Sequence, residues 1–124
     1  MTNRATFEWV NQSIKSYDNF GPLDPLEQLL LNKLKNDKNR LNALDIGCGY
    51  GRIGIRLAIT GCSVRGVDCN KLSVETFNSI SSQMQLEAQA TCEYVENITL
   101  AKESWGVITA VRNVYEITLT TSIQ

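Results

Sequence analysis

Eight consecutive residues, Leu44-Asp45-Ile46-Gly47-Cys48-Gly49-Tyr50-Gly51, set an acid ahead of three glycines at alternate positions. Glycines at that spacing suit a chain that must turn sharply and let its backbone come close to a ligand, since any Cβ would obstruct the approach. If the turn opens a helix, the first amides of that helix face the same place and favour a negatively charged group. A second acid, Asp68, follows Gly47 by twenty-one residues at the end of the next apolar run. From there a carboxylate can accept hydrogen bonds from both hydroxyls of a ribose. The plainer alternative is a glycine-rich turn with an exposed aspartate at a strand end and no ligand.

Two details bear on which ligand would fit. A loop that cradles a dinucleotide needs a third glycine in G-x-G-x-x-G, and Arg52 stands at that place while Gly51 comes one position early. Asp45 adds negative charge that repels a pyrophosphate and welcomes an ammonium or sulfonium. The chain has no histidine, so a general base would have to be a carboxylate, tyrosine or lysine, and no spacing singles one out. No catalytic residue is therefore assigned. Cys48, Cys62, Cys69 and Cys92 contain no C-x-x-C pair and lack the commonest zinc partner, so they read as reduced thiols and no metal is expected.

The elements that must position these residues follow from periodicity. Phe7, Val10, Ile14 and Tyr17 recur at helical spacing and predict a first amphipathic helix ending near Phe20 and Gly21. A second helix starts at Pro25, capped by Asp24 with Glu27 completing a capping box, and carries Leu26, Leu29, Leu30 and Leu34 as its core-facing stripe. Next come a strand over Leu41 to Ile46, a helix over Tyr50 to Ile59 and a strand over Ser63 to Val67. A helix over Leu72 to Met84 follows, then strands near Ala90 to Val95 and Trp105 to Val111. Strands separated by helices imply parallel pairing through right-handed crossovers. The expected fold is α/β: an open, mainly parallel sheet of four to five strands flanked by helices, with two N-terminal helices. Residues 1–40 read as a helical segment packing on a core of residues 41–124, one domain overall.

These residues resemble the class I S-adenosylmethionine-dependent methyltransferases, whose fold is Rossmann-like. Asp45-Ile46-Gly47-Cys48-Gly49-Tyr50-Gly51 matches the family's first motif at every fixed place, and Val64-Arg65-Gly66-Val67-Asp68-Cys69-Asn70 is similar to the second, whose acid holds the ribose. Val95-Glu96-Asn97 falls where the family places an Asp or Asn near the adenine, and Tyr17 falls where an N-terminal aromatic touches the cofactor. A polar turn residue and a helix-face aromatic are the alternative readings of these two. In Trp105-Gly106-Val107-Ile108, glycine replaces the aspartate usual in the fourth-strand motif. The resemblance covers about residues 41 to 111. It implies S-adenosylmethionine as cofactor, bound by Asp45, Gly47, Cys48, Gly49, Gly51, Asp68, Cys69, Asn97 and Tyr17, with a small molecule as methyl acceptor.

The family's sheet has seven strands, and this sequence supplies four or five, as though shortened after the fourth. The tail Val114-Tyr115-Glu116-Ile117-Thr118-Leu119-Thr120-Thr121 is rich in β-branched residues where the family has a helix. A hairpin around Arg112-Asn113 would let it cover the open edge of the fourth strand. Pairing with a second chain, most simply as a homodimer, is expected through the fourth strand or the tail after Val111. Three functions stay open: a methyltransferase acting on a small molecule, a related protein that binds the cofactor or its demethylated product without turnover, and a subunit completed by a partner chain.

Composition narrows the partners. Apolar residues make up 43% and charged residues 20% of the 124, which is ordinary for a soluble domain. A formal net charge of −1 lacks the positive field that draws proteins to nucleic acid or anionic lipid. The cluster Lys33, Lys35, Lys38 and Arg40 reads as a solvated helix end complementing the dipole. No stretch has the pattern of a signal peptide or the length of a membrane span, which points to the cytoplasm, and there the glycosylation pattern Asn97-Ile98-Thr99 has no meaning.

Overall fold

Five strands in the order β3-β2-β1-β4-β5 make up the sheet: β1 (Asn42–Ile46), β2 (Ser63–Asp68), β3 (Ala88–Cys92), β4 (Val107–Ala110) and β5 (Glu116–Leu119). The computed structural model describes residues 14–37, 40–94, 105–110 and 116–119, the last of these as backbone alone. β1 pairs parallel with β2 and β4, and β2 pairs parallel with β3. β5 runs antiparallel against β4, with Val107 opposite Leu119 and Ala110 opposite Glu116. The tail of the same chain therefore takes the open edge of the fourth strand. Residues 111–115, where the turn at Arg112-Asn113 was expected, lie outside the described residues.

Among the described residues three α-helices accompany the sheet: α1 (Pro25–Lys35), α2 (Gly54–Ile59) and α3 (Lys71–Met84). α1 begins as its sequence predicts. Asp24 accepts from the Glu27 amide at 2.8 Å, and Glu27 Oε1 accepts from the Asp24 amide at 3.0 Å. The expected first helix fares differently. Ile14 to Ser16 are not helical, Tyr17–Asn19 form one 3₁₀ turn, and Phe7 and Val10 lie outside the described residues.

The stripe of α1 is rotated from its expected position. Glu27, Leu30, Leu31 and Leu34 are buried, while Leu26 and Leu29 are 49% and 55% exposed. Five leucines in nine residues allow two overlapping apolar faces. The face that wins is the one that also carries Glu27, which has a partner inside the protein.

Phe77 of α3 organises the core beneath the glycine loop and is fully buried. A Cβ on Gly51 would come 2.9 Å from its ring, one on Gly54 2.8 Å and one on Gly66 3.2 Å. All three glycines border the Phe77 ring, which shares the cleared space with Ile55 at Gly51, Asp45 at Gly54 and Cys48 at Gly66, so α2, α3 and β2 approach closely there. Burial on both faces of the central strands, shown by Ala43 beside Leu44 and Val64 beside Val67, is what parallel pairing demands.

Candidate cofactor site

Asp45, the glycine loop, Asp68 and Cys69 lie at or near the carboxyl ends of β1 and β2, where open α/β sheets bind ligands. Gly47, Gly49 and Gly51 have φ of 70°, 55° and 105°, a region that only glycine enters freely. The loop is stitched to β2, since the amides of Gly47 and Cys48 both donate to the Val67 carbonyl, at 2.8 and 3.0 Å. α2 starts at Gly54 and not at Tyr50, because the Gly51 amide closes a turn on the Cys48 carbonyl before helical geometry is reached.

Asp68 joins the two motifs. Its Oδ2 accepts from the Gly49 amide and its Oδ1 from the Asn70 amide, each at 2.8 Å. Asn70 in turn caps α3 by accepting from the Ser73 amide at 3.0 Å. One carboxylate thus sets the glycine loop, the end of β2 and the start of α3. Around the place where a Cβ of Gly49 would stand, nothing lies within 4 Å, so the loop has open space against its backbone there.

Asp45 lies below the loop. It is 2% exposed, and its Oδ1 accepts from the Thr109 hydroxyl at 2.8 Å across the β1–β4 pair. Its Oδ2 is buried with no hydrogen-bond partner among the described residues. Burial raises the Asp45 pKa from 3.8 to about 7; the Thr109 hydroxyl and the neighbouring Gly54 amide, which falls short of hydrogen-bond geometry, pull it back, and Asp68 pushes it further up. The charge expected at this position is therefore conditional on pH.

The other expected residues divide. Cys48 is buried with its sulfur turned toward Gly66, and burial raises its pKa strongly, so only its main chain is available to a ligand. Cys69 is exposed at the end of β2, and the Cys92 thiol donates to its carbonyl at 3.5 Å. Tyr17 packs on Phe20 at 5.0 Å and lies under the Arg56 guanidinium, lining a groove between α1 and α2 with Leu31 and Ile59. That places its ring on the helix side of the loop. Asn97 lies outside the described residues.

Sequence reasoning missed Glu27 as more than a capping residue. It is 1% exposed and ion-paired to Arg52, the residue standing where a dinucleotide loop has its third glycine. The signal was present, since Glu27 shares the i, i+3, i+4, i+7 spacing of Leu30, Leu31 and Leu34. A larger cleft of about 480 Å³ between β2 and β3, lined by Ser63, Arg65, Glu87 and Thr91 among others, contains neither Asp68 nor the loop. Among the described residues no group of three His, Cys, Asp or Glu side chains could hold a metal.

Several known proteins are similar to this chain. A ubiquinone biosynthesis O-methyltransferase from Rickettsia prowazekii is 37% identical over 104 residues, covering 76% of this chain and 40% of that protein. TehB from Haemophilus influenzae superposes with a TM-score of 0.61 at 22% identity, over 73% of this chain and 30% of that one. The T. thermophilus 16S rRNA N2 G1207 methyltransferase, solved with AdoMet and guanosine, superposes at 0.57 with 30% identity, over 71% of this chain and 25% of that one. The chain spans about 40% of the length of curated relatives that it matches. The model of the methyltransferase domain family matches residues 43–122, which include the glycine loop, Asp68 and both strands of the β4–β5 pair, and the chain belongs to that family.

Proposed function

We propose that this chain forms the cofactor-holding part of an S-adenosylmethionine-dependent methyltransferase whose acceptor is a hydroxyl-bearing small molecule. The observation that carries the reading is the Asp68 carboxylate bonded to the Gly49 amide, with open space against the Gly49 backbone, which puts the acid expected to hold the ribose next to the glycine loop. The O-methyltransferase name of the Rickettsia relative supports oxygen as the acceptor atom. The formal net charge of −1 speaks against a nucleic-acid acceptor.

When bound, the cofactor supplies an activated methyl group, and transfer is an in-line displacement in which positioning and exclusion of water do most of the work. Asp68 would hold the ribose, Cys69 would border the adenine, and the backbone of residues 47–51 would face the methionyl end. Calorimetric titration is expected to show one-to-one binding of S-adenosylmethionine and S-adenosylhomocysteine and no heat with NAD. A folded protein that binds neither sulfur compound would sink the reading.

Four free cysteines, two of them buried, support a reducing compartment and hence a cytoplasmic location. Among the described residues no helix is long and apolar enough to cross a membrane. The proposal extends to a homodimer. With β4 covered by the chain's own tail, β5 is the edge strand at that end of the sheet among the described residues. Sedimentation should give a dimer for the full chain and a monomer for a version ending at Asn113; a full-length monomer removes the idea.

A further inference from the structure

Three positive-φ glycines make the loop of residues 47–51 costly to order, and it is held from two sides. On the β2 side Asp68 holds the Gly49 amide. On the other side the contacts come from a segment distant in sequence. The Arg52 guanidinium pairs with buried Glu27 and donates to the Pro22 carbonyl at 2.8 Å. Arg56 donates to the Gly21 carbonyl at 2.6 Å. The Phe20 ring meets the Tyr50 ring edge-on at 5.0 Å. Residues 20–27 are thereby fastened to the loop and to the start of α2. Arg52 is the only one of these fastenings that holds both α1, through Glu27, and the segment leading into it, through Pro22.

We propose that Arg52 is a positioning residue for the methionyl end of the cofactor: by clamping residues 20–24 and the N-terminus of α1 against the loop, it fixes the part of the loop that Asp68 does not touch. The inference rests on the cofactor reading above. It follows from the two-sided support, because a ligand lying from Asp68 across the loop depends on Asp68 at its adenosine end and on the clamp at the other. Arginine suits the role because its planar fork serves the Glu27 carboxylate and the Pro22 carbonyl at once, which a lysine ammonium on a flexible stem does less well. The residue that removes the third glycine of a dinucleotide loop is, on this account, the same one that adapts the loop to a different ligand.

The test compares wild type, Arg52→Met and Glu27→Gln for binding of S-adenosylhomocysteine and of adenosine, which lacks the methionyl end. Both variants should bind S-adenosylhomocysteine at least tenfold more weakly and adenosine within twofold of wild type. Amide hydrogen exchange should quicken at residues 20–24 while α3 stays as protected as in wild type. A merely structural role would weaken both ligands alike, and that result, or S-adenosylhomocysteine affinity within twofold in both variants, overturns the proposal. If Arg52→Met does not fold, Glu27→Gln decides alone. If wild type itself binds no S-adenosylhomocysteine, the cofactor reading is what fails; unchanged exchange at residues 20–24 in the variants then refutes the clamp separately.

Discussion

Asp68→Ala is expected to lower the unfolding free energy by about 3–5 kcal/mol and to abolish measurable binding of S-adenosylhomocysteine. The stability figure follows from the two amides that the carboxylate serves. Gly49 and Asn70 each donate to it at 2.8 Å, Asp68 is 3% exposed, and a hydrogen bond to a charged acceptor contributes about 1.5–3 kcal/mol. Alanine leaves both amides without this acceptor, and the loop and the cap of α3 loosen together. Binding suffers twice, since the ribose loses its acceptor and the loop loses its tether. Asp68→Asn separates the effects: it keeps one carbonyl oxygen and should lose about half the stability while binding still falls at least tenfold. Urea unfolding alongside calorimetry measures both quantities. A stability loss under about 1 kcal/mol for alanine would show that the two amides are satisfied in another way, and the role of Asp68 as the joint between the motifs would be wrong.

What could be read from the sequence was mostly what backbone geometry imposes locally. Glycines at 47, 49 and 51 are required by positive φ at each of those positions, and the change from helical to strand period at Leu41 marks β1 to within one residue. The cap at Asp24 was legible because both partners lie within three residues. Contacts between distant residues were not. Gly54 and Gly66 looked unremarkable because what excludes a Cβ there comes from other elements: Asp45 and Phe77 at Gly54, Cys48 and Phe77 at Gly66. Cys48 sits in the motif, yet its side chain is turned inward by the turn that its own carbonyl closes with Gly51. The choice between two leucine faces on α1 depended on Arg52, twenty-five residues after Glu27. β3 starts two residues and ends three residues earlier than expected, because Ala88, of low strand propensity, and Gln89 are held by parallel pairing with Val64 and Arg65.

The pH dependence of stability should carry the signature of Asp45. With a pKa of 3.8 when unfolded and about 7 when folded, the carboxyl keeps a proton in the native state that the unfolded chain has released between those values. Folding in that window takes up a proton. The stabilisation is therefore fully present below about pH 4, falls as the pH rises, and is lost once the pH passes about 7 and the buried group must ionise. Each unit of pKa difference corresponds to about 1.4 kcal/mol, and some water entry on opening of the loop reduces the total, so the expected loss between pH 4 and pH 8 is about 2–4 kcal/mol. Asp45→Asn cannot ionise and should remove this slope, whatever its effect at a single pH from placing an amide beside Gly54. The measurement is urea unfolding of both proteins at several pH values, with the difference between them plotted against pH. That difference should move in the variant's favour by about 2–4 kcal/mol across the range. A difference that stays flat would mean that Asp45 is ionised throughout, and that the carboxylate beneath the loop finds a counter-charge or a water that its contact with Thr109 does not supply.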